Sequence, residues 1–165
     1  MLIAFSGLPG TGKSTISRAL ARGIGAAWLR IDSIEQAIRD ADVVTGSLND
    51  AGYRAAGSVA EDNLRLGLTV VADCVNPWME TRNYWRSLAL DAGVGVLEVE
   101  IVCSDRAEHR RRVEKRRGEV PGLCLPSWSD VLARDYRPWE RPCLVVDTAR
   151  RDITGCVAAI RAELP

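Results

Sequence analysis

Residues 7–15 read Gly-Leu-Pro-Gly-Thr-Gly-Lys-Ser-Thr, and each residue type at that spacing suits one part of a phosphate cradle. Glycine tolerates positive φ and bares the backbone, so the N–H groups around Gly7, Gly10, Thr11 and Gly12 can point at phosphate oxygens. Lys13 is placed to reach the β- and γ-phosphates, and the Ser14 hydroxyl to ligate Mg²⁺. Thr15 begins a helix whose N-terminal partial charge favours an anion. A tight glycine turn would explain the glycines but not Lys13-Ser14 directly after Gly12. An apolar run before the loop and helical spacing after it supply the context the motif requires. Nucleotide binding is the expectation.

Two aspartates follow apolar runs, Asp32 after 28–31 and Asp73 after 69–72. In an open parallel sheet, ligands bind outside the carboxyl ends of the strands. Asp73 suits a carboxylate that holds Mg²⁺ directly or through water. Asp32 stands where a substrate hydroxyl would sit and is the candidate acceptor of its proton, a role worth about 10²–10⁴ in rate. Helix capping is the other reading of both. The segment 105–117 carries Arg106, Arg110, Arg111, Arg112, Lys115, Arg116 and Arg117. Arg112 and Arg116, four apart, would share one helix face and could neutralise charge over a triphosphate. The alternative is a solvated basic face with Glu108 and Glu114 as helical partners. His109 reads as an exposed helix residue, not a ligand.

Holding these groups together takes a sheet. Apolar runs at 2–5, 28–31, 69–72, 96–102 and 143–146 alternate with helical patterns near 13–24, 34–41, 53–66, 80–92, 105–117 and 152–163. That alternation predicts an α/β fold with a parallel sheet covered on both faces. Ser33 with Gln36, and Ser127 with Asp130, have capping-box spacing. Pro121, Gly122, Pro126, Pro138 and Pro142 surround one short helical pattern in 118–142. This stretch reads as a flap, so 1–165 is expected to be a single domain with a lid at about 105–140.

The bulk properties are those of an ordinary globular chain of 165 residues, 47% hydrophobic and 27% charged, with no net charge. Nothing global signals a nucleic-acid or membrane partner. Lys13 and Lys115 are the only lysines, so nearly all positive charge is arginine. Five cysteines form no C-x-x-C pair and no zinc spacing with the single histidine, which predicts reduced thiols and a cytoplasmic protein. No signal peptide is evident and no apolar run approaches the ~20 residues of a membrane span. Trp28, Trp78, Trp85, Trp128 and Trp139 form no stripe; core and substrate-wall roles both remain open.

The chain resembles the P-loop kinase-like family labelled "AAA domain" ATP-binding proteins, which includes bacteriophage polynucleotide kinase and lies near chloramphenicol phosphotransferase, gluconate kinase and the zeta toxins. The resemblance runs through 7–15, Leu-Arg-Ile-Asp-Ser-Ile-Glu at 29–35, Val-Val-Ala-Asp-Cys-Val-Asn-Pro at 70–77, Arg82, the basic run 108–116, 135–139 and Val-Val-Asp-Thr at 145–148. It implies a three-layer P-loop NTPase fold, a five-stranded parallel sheet of order 2-3-1-4-5 and a mobile arginine-bearing lid. It implies ATP and Mg²⁺ as cofactors, Asp32 as base, Asn76 and Arg82 near the acceptor pocket, and Arg112 and Arg116 as lid arginines.

One departure narrows the acceptor. Polynucleotide kinases of this type resemble Asp-x-x-Arg after strand two, whereas this chain has Asp32-Ser33-Ile34-Glu35. A carboxylate there would repel a nucleic-acid phosphate, so Glu35 points to a neutral or cationic small alcohol, of sugar, nucleoside or antibiotic type. Polynucleotide 5′-hydroxyl phosphorylation becomes the second reading. A regulatory ATP-binding module with slow hydrolysis is the third, and Gln36 is the chain's only glutamine that could position water. No Asn-Lys-x-Asp guanine motif occurs, which favours ATP over GTP.

Overall fold

The structure is a computed structural model that describes residues 1–42 and 46–165. Strands β1 (Leu2–Ser6), β2 (Ala27–Arg30), β3 (Val70–Asp73), β4 (Val96–Val102) and β5 (Leu144–Asp147) form one parallel sheet of order β2-β3-β1-β4-β5. The helices are α1 (Lys13–Ile24), α2 (Ile31–Asp40), α3 (Ala51–Arg65), α4 (Met79–Asp91), α5 (Arg106–Lys115), α6 (Trp128–Ala133) and α7 (Ile153–Arg161). Fold class and strand order are those expected from the sequence.

β1 and β3 are apolar on both faces because helices cover both sides. Leu2, Ala4, Val70 and Ala72 pack under Ala56, Ala60 and Leu64 of α3 and Trp85 and Ala89 of α4. Ile3, Phe5, Val71, Val99, Ile101 and Val146 face Ile16, Leu20 and Ala21 of α1 and Cys156 and Ile160 of α7. Burial of each such aliphatic side chain contributes about 1.5–3 kcal/mol. Trp85 is therefore core, fully buried. All five cysteines carry free thiols, three of them buried, and among the described residues no helix is long and apolar enough to cross a membrane.

On β4 the alternation places Glu98 and Glu100 on the α4 side. Arg86 of α4 lies 3.5 Å from Glu98 Oε2, and the extended stretch 134–143 supplies further partners. Arg141 pairs with Glu98 and donates to Asn83 Oδ1 at 2.6 Å, and Tyr136 donates to Glu100 Oε1 at 2.7 Å. The second half of the expected flap is thus packed onto the sheet, leaving 116–127 as the open excursion.

Helix boundaries follow local chemistry. Ser127 and Asp130 form a reciprocal capping box that starts α6. The box expected at Ser33–Gln36 does not form: α2 begins directly off β2, with Arg30 as N-cap and no side-chain cap. Gln36 instead donates to Asp40 Oδ1 at 2.7 Å.

Candidate functional site

The register aligns the chemistry at one end of the sheet. Asp73 is the partner of Phe5 on one side and of Arg30 on the other, so the loop at 7–12, Asp73 and the start of α2 share the carboxyl edge. Gly7 has φ 137° and donates its N–H to Val75 O at 3.1 Å. A Cβ there would fall 2.3 Å from Ile101 O, so only glycine fits. Thr11 Oγ1 donates to Leu8 O at 2.9 Å and closes the turn. Helix α1 starts at Lys13 with no side-chain cap and no acidic residue in its first turn. Its leading N–H groups, with Ser14 and Thr15 among them, are left for an anion.

Lys13 and Asp73 are both buried, and Lys13 Nζ lies 3.4 Å from Asp73 Oδ1. The pair lacks hydrogen-bond geometry, and neither Asp73 oxygen has a hydrogen-bond partner. A buried carboxylate with two unsatisfied oxygens is costly unless a cation or water completes it. Ser14, first-turn neighbour of Lys13, and Asp73 are the residues that fit Mg²⁺ with its waters and phosphates. Among the described residues no cluster of three His, Cys, Asp or Glu side chains could hold a metal by itself.

Helix α5 is docked on the phosphate loop through a residue read differently from sequence. His109 is buried, not exposed: its Nε2 lies 2.9 Å from Pro9 O and its ring meets Trp128 edge-on at 5.1 Å. Val113, one turn on, sits where a Gly10 Cβ would come within 2.4 Å of its Cγ2. His109 and Val113 share a face and the Leu8-Pro9-Gly10 turn is apolar; that i, i+4 spacing was the available signal.

The two lid arginines separate. Arg112 donates from Nε to Glu108 at 2.7 Å and from its terminal nitrogens to Thr148 Oγ1 at 2.8 Å and Thr148 O at 3.2 Å. Hydrogen bonds from Arg111 and Arg112 hold the Glu108 pKa down at about 2. Thr148 in turn donates to Thr11 O at 2.8 Å. These residues border a cleft of about 530 Å³ that Gly12, Thr15, Arg151 and Asp152 also line. Arg112 therefore flanks the far side of the phosphate loop. The resemblance reached Thr148 through Val-Val-Asp-Thr at 145–148 but gave it no role, and Arg151 and Asp152 carried no signal, because this wall follows β5, some 135 residues from the motif it adjoins.

Arg116 does not share a helix face with Arg112. Helix α5 ends at Lys115, and Arg116 is extended at φ −65°, ψ 146°. Burial lowers its pKa; Asp32 attracts it, while Arg30 and Arg134 repel it. Asp32 is half-buried in the first turn of α2, not at the end of a strand. Lys13, Ser14, Asp73, Asp32 and Arg116 thus line the same edge of the sheet.

Three expected acceptor contacts are placed otherwise. Arg82 is fully enclosed, and its nitrogens donate to the carbonyls of Asn76 at 3.0 Å, Pro138 at 3.0 Å and Arg137 at 2.7 Å. It lies over the rings of Trp139 and Tyr136 at 4.3 and 5.1 Å, and so anchors 136–139 in place of a substrate. Asn76 takes φ 46° and donates Nδ2 to Phe5 O at 2.8 Å. Glu35 presses on Gly52 of α3 and lies 3.9 Å from Arg39. Burial, and then the nearby Asp32 charge, push its carboxyl pKa up against the pull of Arg39 and Arg134.

The family model described as "AAA domain" matches residues 2–123, a span containing the phosphate loop, Asp32, Asp73 and the start of the lid. The chain belongs to this family. Its P-loop kinase-like fold is shared with enzymes of known name. An adenylyl-sulfate kinase of Prochlorococcus marinus is 26% identical over 99% of this chain and 83% of its own length. One from Geotalea uraniireducens is 29% identical over 97% and 78%. The APS kinase of Mycobacterium tuberculosis, solved with AMPPNP and APS, superposes with a TM-score of 0.70 at 22% identity, covering 98% of this chain and 95% of that one. A gluconokinase of Sinorhizobium meliloti superposes with a TM-score of 0.62 at 20% identity, covering 97% and 89%.

Proposed function

We propose that this P-loop kinase-like protein is a phosphotransferase that moves the γ-phosphoryl group of ATP, with Mg²⁺, to a hydroxyl of a small molecule. The observation that carries the reading is the buried Lys13–Asp73 pair with both carboxylate oxygens unpartnered, facing Asp32 and Arg116 across the carboxyl edge. A module that only binds nucleotide has no use for a second carboxylate and a guanidinium on the acceptor side.

The N–H groups of residues 10–15 and Lys13 hold the phosphates, and the cleft beside Arg112 and Thr148 takes the base and ribose. Ser14 and Asp73 would hold Mg²⁺, which would supply counter-charge to the phosphates. Asp32 accepts the proton of the acceptor hydroxyl as its oxygen bonds to the γ-phosphorus. The bond to the bridging oxygen breaks and ADP leaves. Arg116 neutralises charge on the transferred group. Arg112 acts on the nucleotide, and 116–127 serves as the moving part of the lid.

The likeness to adenylyl-sulfate kinases adds an acceptor that the Glu35 reading disfavours; Glu35 packs against Gly52 of α3, yet its charge still interacts with that of Asp32. Transfer from labelled ATP is to be measured against sugars, nucleosides, aminoglycosides, adenylyl sulfate and oligonucleotides with 5′-hydroxyl ends. Transfer to a small alcohol supports the reading. Transfer to oligonucleotides alone makes the protein a polynucleotide kinase, and tight ATP binding without any transfer makes it a regulatory module.

A further inference from the structure

The end of β2 carries more positive charge than the transfer step uses. Arg18 of α1 and Arg30 of β2 converge on the carboxylate of Glu119. Arg30 Nη1 lies 3.1 Å from Glu119 Oε2, Arg18 Nη1 3.4 Å from the same oxygen, and Arg18 Nη2 3.5 Å from Oε1. Both guanidiniums lie over Trp28, at 5.9 and 6.0 Å from the ring centre. The Trp28 indole N–H donates to Ser17 Oγ at 3.0 Å, so the ring between them is fixed to α1. Two planar forks closing on one carboxylate is the arrangement that binds phosphate, sulfate or carboxylate groups.

Arg30 is held more firmly than either Arg18 or Glu119, since the Arg18 side chain is 50% exposed. The Arg30 side chain is 14% exposed, and the Nε atoms of Arg30 and Arg116 are buried without partners. Arg30 and Arg134 are each near enough to repel Arg116, with Asp32 as the opposing charge. Glu119 is 46% exposed and sits in the open excursion 116–127, outside any helix or strand. An ion pair this exposed contributes little to stability, whereas a half-buried guanidinium needs a counter-charge. With Asp32 committed to the hydroxyl proton, the carboxylate easily exchanged is Glu119.

We propose that Arg18 and Arg30 form an anion subsite of the acceptor pocket. It takes a sulfate, phosphate or carboxylate group carried by the acceptor, and Glu119 occupies it until the acceptor arrives. The assignment rests on the phosphotransferase reading and narrows it to an anionic small alcohol. It also gives the lid a trigger, because an acceptor that displaces Glu119 frees the segment that carries Arg116.

The test is equilibrium binding with the phosphate loop filled by Mg²⁺ and a non-hydrolysable ATP analogue, so that no transfer is required. Probes are inorganic sulfate, adenylyl sulfate and adenosine, against wild type, Glu119→Gln, Arg18→Gln and Arg30→Gln. Glu119→Gln should tighten sulfate about tenfold, and either arginine variant should weaken it about tenfold or more, one charge-assisted contact each. Adenylyl sulfate should bind wild type at least tenfold more tightly than adenosine, on the same scale, with the advantage lost in the arginine variants. Sulfate affinity indifferent to Glu119→Gln and Arg18→Gln, both on the surface, overturns the subsite. Sulfate binding that depends on the arginines, without any preference of adenylyl sulfate over adenosine, makes this a free-anion site and overturns the acceptor assignment. Either failure leaves the phosphotransferase reading to the transfer screen.

Discussion

At the scale of single residues, carboxylates of one type have three different jobs because their surroundings differ. Asp73 is buried beside Lys13, Asp32 is half-open beside Arg116, and Glu35 is pressed against α3. Asp32→Asn should lower transfer by about 10²–10⁴ while ATP affinity stays within about twofold, since a base acts on the acceptor alone; steady-state kinetics and nucleotide titration separate the two. Retained transfer would remove Asp32 as the base. Glu35 makes a pH prediction. Burial raises its folded-state pKa above the ordinary value of 4.5, so the folded chain binds that proton more tightly than the unfolded chain. Its contribution is most favourable below the unfolded pKa and is lost as pH rises through the folded value. Glu35→Gln should therefore raise Tm at neutral pH, with the gain disappearing near about pH 4; an unchanged Tm difference across that range would contradict the assignment.

At the scale of elements, the phosphate loop is held from both sides, by β1 beneath and α5 above. Gly10 has φ 86°, and a Cβ would meet Val113 Cγ2 at 2.4 Å. Gly10→Ala should push α5 off the loop and weaken ATP binding about tenfold or more, a loss of roughly 1.4 kcal/mol, read by titration with ATP and Mg²⁺. The stretch 134–143 is the other element whose placement depends on one side chain. Arg82→Ala would leave three carbonyls without donors and a void under Trp139, for a cost of about 3–5 kcal/mol in urea unfolding. Arg82→Lys, with one point charge in place of a planar fork, should recover only part of it. Small change in both variants would return Arg82 to the acceptor pocket where the family pattern places it.

At the scale of the whole molecule, a nucleotide at about 100 times its Kd should stabilise the fold by about 2.7 kcal/mol, seen as a rise in Tm that Lys13→Ala abolishes. A sheet register that brings β1, β3 and β2 to a common edge explains why so much was legible beforehand. β1 and β3 are short and almost wholly apolar because both their faces are covered, so the order of such runs and the glycine-rich loop, which is local, sufficed for fold class and for bringing that loop and Asp73 to one edge of the sheet. Contacts between distant segments carry no periodicity. Arg82 inside a stack of Trp139 and Tyr136, His109 against Pro9, Arg112 turned to Thr148, and Arg116 beyond the end of its helix all depend on which loops pack together. Local spacing set the phosphate cradle. Tertiary packing alone decided where each arginine is held, because a guanidinium at the end of a long side chain goes where burial and counter-charge place it, not where helical spacing points.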